Sequence, residues 1–100
     1  MPAQNRLPTS FLGGFAVDVV NLQTTDDLDN LTTPYKKYVW TDKPINAPID
    51  YGNMFIIATG PGIILQISVR FGRNDPRIVY RMREYGTWGP WFEINKTALT

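Results

Sequence analysis

The sequence predicts a small, mainly β domain built on an antiparallel sheet. Two neighbouring stretches, residues 63–71 and 77–83, alternate in side-chain character, and five turn-forming residues, Gly72 to Pro76, separate them. Alternation with a period of two places one set of side chains on each face of a strand. The two stretches therefore predict a β-hairpin at the centre of the domain.

The two faces of this hairpin differ in polarity. One face is apolar, and we predict that it points into the core through Ile63, Leu65, Ile67, Ile78, Tyr80 and Met82. The other face is polar and carries four arginines. Together with a nearby tyrosine they form a candidate ligand surface for phosphates or acidic sugars: Arg70, Arg77, Arg81, Arg83 and Tyr85. The alternative is a solvated strand face that discourages pairing with other sheets.

The remaining elements are shorter. One short helix is predicted near residues 25–33, because acids fall in its first turn and Pro34 ends it. A threonine is the expected amino-terminal cap. Further strands are predicted over residues 35–40, 51–59 and 91–94. The stretch 51–59 is apolar on both faces, which is typical of a central strand.

These elements predict a domain over residues 24–95, preceded by an extended amino-terminal arm (residues 1–23) and followed by a tail (residues 96–100). The arm is apolar, and Gly13 and Gly14 give it a hinge. It is either an edge strand with a frayed terminus or a segment that contacts another subunit. The candidate assembly contacts are Phe11, Leu12, Phe15, Val17 and Val19.

Composition excludes several classes of function. The chain has no histidine and no cysteine, so the common nucleophilic triads, zinc sites and disulfides are absent. The net charge of +1 is not that of a dedicated nucleic-acid binder. No apolar run approaches the roughly 20 residues that span a bilayer. The acids fall mostly in turns, so we expect no catalytic pair, no metal, no cofactor and no enzyme activity.

Aromatic residues are frequent, at 13% of the chain. They could form a platform for sugar rings, or they could fill the core and close the sheet. The candidates are Trp40, Tyr51, Tyr80, Tyr85, Trp88 and Trp91.

Several short motifs occur in a recognisable order. The chain carries DLDNLTTP at residues 27–34 and NAP at 46–48, then Gln66 in a strand, RIVYR at 77–81 and GTWGPW at 86–91. This order resembles the knob domains of bacteriophage tail fibres and of phage-tail-like bacteriocins, the pyocin-knob family. Two positions depart from the family pattern: Tyr35 stands where glycine is usual, and Gly89 stands where serine is usual.

The resemblance implies a homotrimeric, non-catalytic virion protein in the phage tail, with other tail proteins and host cell-surface polysaccharide as partners. It also implies fold-specifying roles for Trp88, Pro90 and Trp91. Three functions remain open: a fibre knob that binds cell-surface carbohydrate for host attachment, a tail connector that docks through its arm, and a non-catalytic fragment of a polysaccharide depolymerase. The shortness of the chain favours the connector.

Overall fold

Seven strands run through residues 18–95, the part of the chain that the computed structural model describes. All seven belong to one sheet. Their bounds are β1 Val19–Asn21, β2 Lys37–Trp40, β3 Gly52–Gly60, β4 Ile63–Arg70, β5 Arg77–Glu84, β6 Thr87–Trp88 and β7 Phe92–Glu93. The prediction of a mainly β, antiparallel domain is confirmed.

The strands lie in the order β1-β2-β3-β4-β5, and the two shortest strands share the outer edge of β5. β6 pairs with the carboxyl end of β5, and β7 pairs nearer its start. Neighbours are antiparallel except β1 and β2, which run parallel. The predicted hairpin is β4–β5, and the strand predicted to be central is β3.

The prediction of which hairpin face points inward is wrong. Gln66 and Ser68 of β4 are fully buried, and Arg81 of β5 is only 5% exposed. On the apolar face, Ile78, Tyr80 and Met82 are each more than one third exposed. The residues predicted to be inward, Ile63, Leu65 and Ile67 included, therefore lie on the face away from the core.

The reason is that Gln66 and Arg81 have hydrogen-bond or ion-pair partners in the core, although the Ser68 hydroxyl has none among the described residues. A polar side chain can be buried at low cost when its donors and acceptors are satisfied inside the protein. Two loops pack on the polar face of the hairpin, and the first of them, between β1 and β2, supplies the partners that lie outside the sheet. The core there contains Leu22, Leu28, Tyr38, Trp40, Ala47, Ile49, Met54, Ile56 and Val79.

The predicted helix is a single 3-10 turn, Leu28–Asn30. Its amino-terminal cap is Asp27 rather than a threonine, and the Asp27 carboxylate accepts a hydrogen bond from the backbone N–H of Asp29 at 2.9 Å. This turn lies in the first covering loop, which connects β1 and β2. Because Leu28 is fully buried, the turn fixes that loop to the core. The second covering loop lies between β2 and β3 and buries Ala47 and Ile49.

The described end of the amino-terminal arm belongs to the sheet. Val19 lies in β1, where it pairs with Lys37, and Leu22 is buried in the core. The assembly contacts predicted at Phe11, Leu12, Phe15 and Val17, and the tail at 96–100, lie outside the described residues. Within the described part of the chain, no helix has the length and apolarity needed to cross a membrane.

Candidate functional site

Gln66 lies at the centre of a buried polar network. Its side-chain N–H group donates hydrogen bonds to the carbonyl oxygens of Leu28, at 2.8 Å, and of Leu31, at 2.9 Å. Leu28 is the first residue of the 3-10 turn, and Leu31 is its carboxyl-terminal cap. Its side-chain oxygen accepts a hydrogen bond from Nε of Arg81 at 2.8 Å. One glutamine therefore connects β4, β5 and the first covering loop.

Arg81 extends the network toward the surface. One of its terminal nitrogens lies 2.8 Å from Oδ1 of Asp29. Its guanidinium carbon lies 3.9 Å from the ring centre of Trp88 and 4.6 Å from that of Trp91. Burial lowers the pKa of Arg81, while the hydrogen bond and charge of Asp29 act in the opposite direction. The guanidinium is thus enclosed by one carboxylate and two aromatic rings.

The two tryptophans also bind the covering loops through their indole N–H groups. Trp88 donates to the carbonyl oxygen of Asp29 at 3.0 Å, and Trp91 donates to that of Asn46 at 3.2 Å. The Asn46 amide in turn donates to Asp27 at 2.8 Å. We call these seven residues the motif cluster: Asp27, Asp29, Asn46, Gln66, Arg81, Trp88 and Trp91. The cluster joins both covering loops to the sheet.

The candidate ligand surface is divided by these contacts. Arg81 is buried in the motif cluster, and Arg77 forms two hydrogen bonds with Glu93, at 3.0 and 2.6 Å. Arg70 lies 3.9 Å from Asp50. Arg83 lies 6.0 Å from the ring centre of Trp88. The four arginines do share one face, as predicted, but the covering loops occupy its centre.

The aromatic candidates do not form one platform either. Trp40 is 4% exposed, and its indole N–H donates to the carbonyl oxygen of Ile49. Tyr80 lies on the opposite side of the sheet, with its ring centre 5.7 Å from that of Phe92. Tyr85 is 79% exposed at the turn after β5. Trp88 and Trp91 enclose Arg81, as the fold-specifying interpretation expects.

The apolar face of the sheet is not covered by either loop. Cross-strand partners align Phe55, Ile67, Tyr80 and Phe92 in one row. A second row aligns Ile57, Leu65 and Met82. We call this the open face and define it by Phe55, Ile57, Ile63, Leu65, Ile67, Val69, Ile78, Tyr80, Met82 and Phe92.

The covering loops pack on the other side of the sheet, so no part of residues 18–95 forms a second layer over the open face. Phe92 is 53% exposed there. A contiguous exposed apolar patch of this kind marks an interaction surface in soluble proteins. Sequence reasoning placed six of these residues in the core, namely Ile63, Leu65, Ile67, Ile78, Tyr80 and Met82, because apolarity alone does not distinguish a core from an exposed apolar face.

The described residues contain no group of three or more histidine, cysteine, aspartate or glutamate side chains that could hold a metal ion. No family model, curated protein or solved structure matches the chain.

Proposed function

We propose that this protein is a non-enzymatic knob domain of a bacteriophage tail fibre. It associates with copies of itself through the open face and contacts carbohydrate on the host cell surface. The observation that carries the proposal is that the two sides of the sheet differ in what covers them. One side is closed by the motif cluster, and the other presents apolar rows for assembly.

The motif cluster supports the resemblance on which this proposal is based. The motifs DLDNLTTP, NAP, RIVYR and GTWGPW are far apart in the sequence, yet each contributes at least one residue to the cluster. Gln66 contributes the side chain that connects them. Residues that recur in a fixed order because they specify a fold are expected to meet in this way.

The open face fits a second copy of the same chain. It has no charged side chain in its central rows, whereas Lys37 and Glu84 lie at its opposite margins. When two copies are related by a rotation, the positive margin of one face can meet the negative margin of the other, and this attraction favours contact between identical faces. Burying the central rows removes apolar area from water at about 25 cal/mol per Å². The fibre resemblance supplies a trimer as the expected number of copies.

The test is the mass of the full-length chain in solution, measured by light scattering after size-exclusion chromatography over a range of micromolar concentrations. We expect a mass of three chains of 11.4 kDa each. Met82→Arg should give a folded monomer, because it places a charge in a row of the open face. Ile45→Arg is the matched control, since Ile45 is also exposed but lies in the second covering loop.

Two results would contradict the assembly part of the proposal. One is a parent protein that stays monomeric at every concentration. The other is a Met82→Arg variant that associates as strongly as the parent. The connector function predicts a different pattern, in which the protein associates with a tail protein but does not bind host cells. A pull-down on whole bacteria therefore separates the two functions.

A further inference from the structure

A polar cleft of about 400 Å³ lies at one end of the sheet, where β1 and β2 end and β3 begins. Its rim is made by side chains with amide, hydroxyl or carboxylate groups: Asn21, Gln23, Thr24, Thr41, Asp42 and Asn53. Leu22, Trp40 and Phe71 also line the cleft. Leu22 and Trp40 are buried in the core, and the alternation of β2 places the Trp40 side chain on the other side of the sheet from Asn21 and Asn53. The cleft is separate from the motif cluster and shares no residue with it.

The sheet fixes the spacing of two asparagines in this cleft. Asn21 on β1 and Asn53 on β3 both align with Val39 on β2, so they lie on the same face, one strand to either side of Val39. Two strand spacings place their backbones roughly 10 Å apart. Each amide carries both a hydrogen-bond donor and an acceptor. Neither side chain forms a hydrogen bond with another described residue.

The charge of the cleft limits the class of ligand. Among the described residues that line the cleft, Asp42 is the only ionisable one, and none is a lysine or an arginine. Phosphates and acidic sugars would meet a carboxylate with no compensating cation. A ligand rich in hydroxyl groups instead finds amides and hydroxyls with both donors and acceptors.

An exposed aromatic ring borders the same site. Phe71 is 54% exposed, and its carbonyl oxygen accepts a hydrogen bond from the Tyr51 hydroxyl at 3.2 Å, which holds this part of the loop against the start of β3. A phenyl ring can pack on the apolar face of a sugar ring, while the neighbouring amides bind its hydroxyl groups. This combination of one apolar surface and a few convergent polar groups is typical of small-molecule sites.

The cleft lies at the end of β1 that the chain reaches last. β1 runs from Val19 toward Asn21, and Asn21 lies at the cleft. We propose that this cleft binds a neutral carbohydrate; the inference rests on the proposed function and assigns its ligand site.

The test uses ligand-observed saturation-transfer NMR on the full-length protein with four neutral probes: the methyl α-glycosides of glucose, galactose and mannose, and N-acetylglucosamine. Glucuronic acid and sialic acid serve as acidic comparators. We expect saturation transfer to at least one neutral probe and none to the acids. The double variant Asn21→Ala/Asn53→Ala should weaken binding at least tenfold, and Phe71→Ala should do the same.

Tyr85→Ala is the matched control, since Tyr85 is an exposed aromatic residue at the opposite end of β5 and should not affect binding. Circular dichroism melts of all variants identify any that lose their fold. Binding that persists in both folded cleft variants, preference for the acidic probes, or no transfer to any neutral probe each overturns the inference. The proposed function fails separately, if the parent protein neither associates with itself nor binds whole bacteria.

Discussion

The side-chain oxygen of Gln66 accepts a 2.8 Å hydrogen bond from Nε of Arg81, and both side chains are buried within an otherwise apolar sheet. The pair lies directly opposite in the β4–β5 register. It shows why the polar side of this hairpin faces inward: each group is needed by the other and by the covering loop. The stability of the domain should therefore depend on polar side chains as well as on apolar burial.

Gln66→Leu should destabilise the domain strongly, although it makes the core more apolar. The change leaves the carbonyl oxygen of Leu31 and the Nε–H of Arg81 without their partner, while the Leu28 carbonyl keeps only its hydrogen bond from the backbone N–H of Leu31. Unsatisfied buried groups cost about 1–3 kcal/mol each, so we expect a loss of about 2–4 kcal/mol after relaxation. Urea unfolding measures it. Gln23→Leu, the same change at an exposed position, should stay within roughly 0.5 kcal/mol.

Trp91→Ala should lower the stability of the domain by about 2–4 kcal/mol, because it removes one of the two rings that enclose Arg81. Trp91→Phe keeps a ring there but loses the N–H donated to Asn46, and should be intermediate. Thermal melts compare the three proteins. If Trp91→Ala melts like the parent and loses carbohydrate binding, the tryptophan belongs to a sugar platform instead.

Asp27 should make the stability of the domain depend on pH in the acid range. The backbone N–H of Asp29, and then the amide of Asn46, lower the pKa of Asp27 below its ordinary value of 3.8. A carboxylate with a lowered pKa in the folded state contributes stability that is complete above its unfolded pKa and is lost as the pH falls through the folded value. Unfolding free energies measured from pH 6 downward should therefore begin to fall near pH 4.

Asp27→Asn is the matched variant for this experiment. Asparagine can still accept the hydrogen bond that caps the 3-10 turn, but it does not titrate. The variant should be folded at neutral pH and should lose stability less steeply below pH 4. A slope identical to that of the parent would show that other carboxylates cause the acid sensitivity.

Gly52→Ala should destabilise the start of β3. Gly52 has a φ of +149°, and an added Cβ would collide with the carbonyl oxygen of Val69 on the neighbouring strand. Forcing a group into such a packed position costs roughly 1–3 kcal/mol or more. In Gly60→Ala the new Cβ would meet only the Ile63 Cδ1, at 3.8 Å, so this control should be nearly neutral. Equal melting temperatures for the two variants would contradict the described backbone at Gly52.

Much of the strand pattern could be predicted from the sequence, because alternation and turn residues are local signals. Residues 63–71 contain β4, residues 77–83 cover β5 except its last residue, Glu84, and the predicted strand at 51–59 nearly coincides with β3. β6 was missed, since two residues carry no periodicity. The helix predicted near residues 25–33 is longer than the observed 3-10 turn, Leu28–Asn30. Burial of Leu28, and not helix propensity, stabilises this segment.

Local signals could not predict which face of the β4–β5 hairpin points into the core. β4 reads IILQISVR, so both of its faces contain isoleucine, and apolarity alone places the more apolar face in the core. The deciding contacts are distant in sequence: Gln66 donates hydrogen bonds to two carbonyls of the first covering loop. A polar residue inside an apolar strand, such as Gln66 or Ser68, is the signal that could have indicated a buried network.

The motif cluster also has a consequence for the order of folding. The indole of Trp88 binds Asp29, which is 59 positions away in the sequence, and the indole of Trp91 binds Asn46, which is 45 positions away. Contacts of such long sequence separation form slowly, because the intervening chain must first be brought together. During synthesis, the meander β3-β4-β5 can pair as soon as it leaves the ribosome. The first covering loop can bind Gln66 and Arg81 earlier, but it gains its hydrogen bond with Trp88 only when the last of the chain is made. We therefore expect nascent chains that end before Trp88 to be more protease-sensitive over residues 22–36 than the full-length chain.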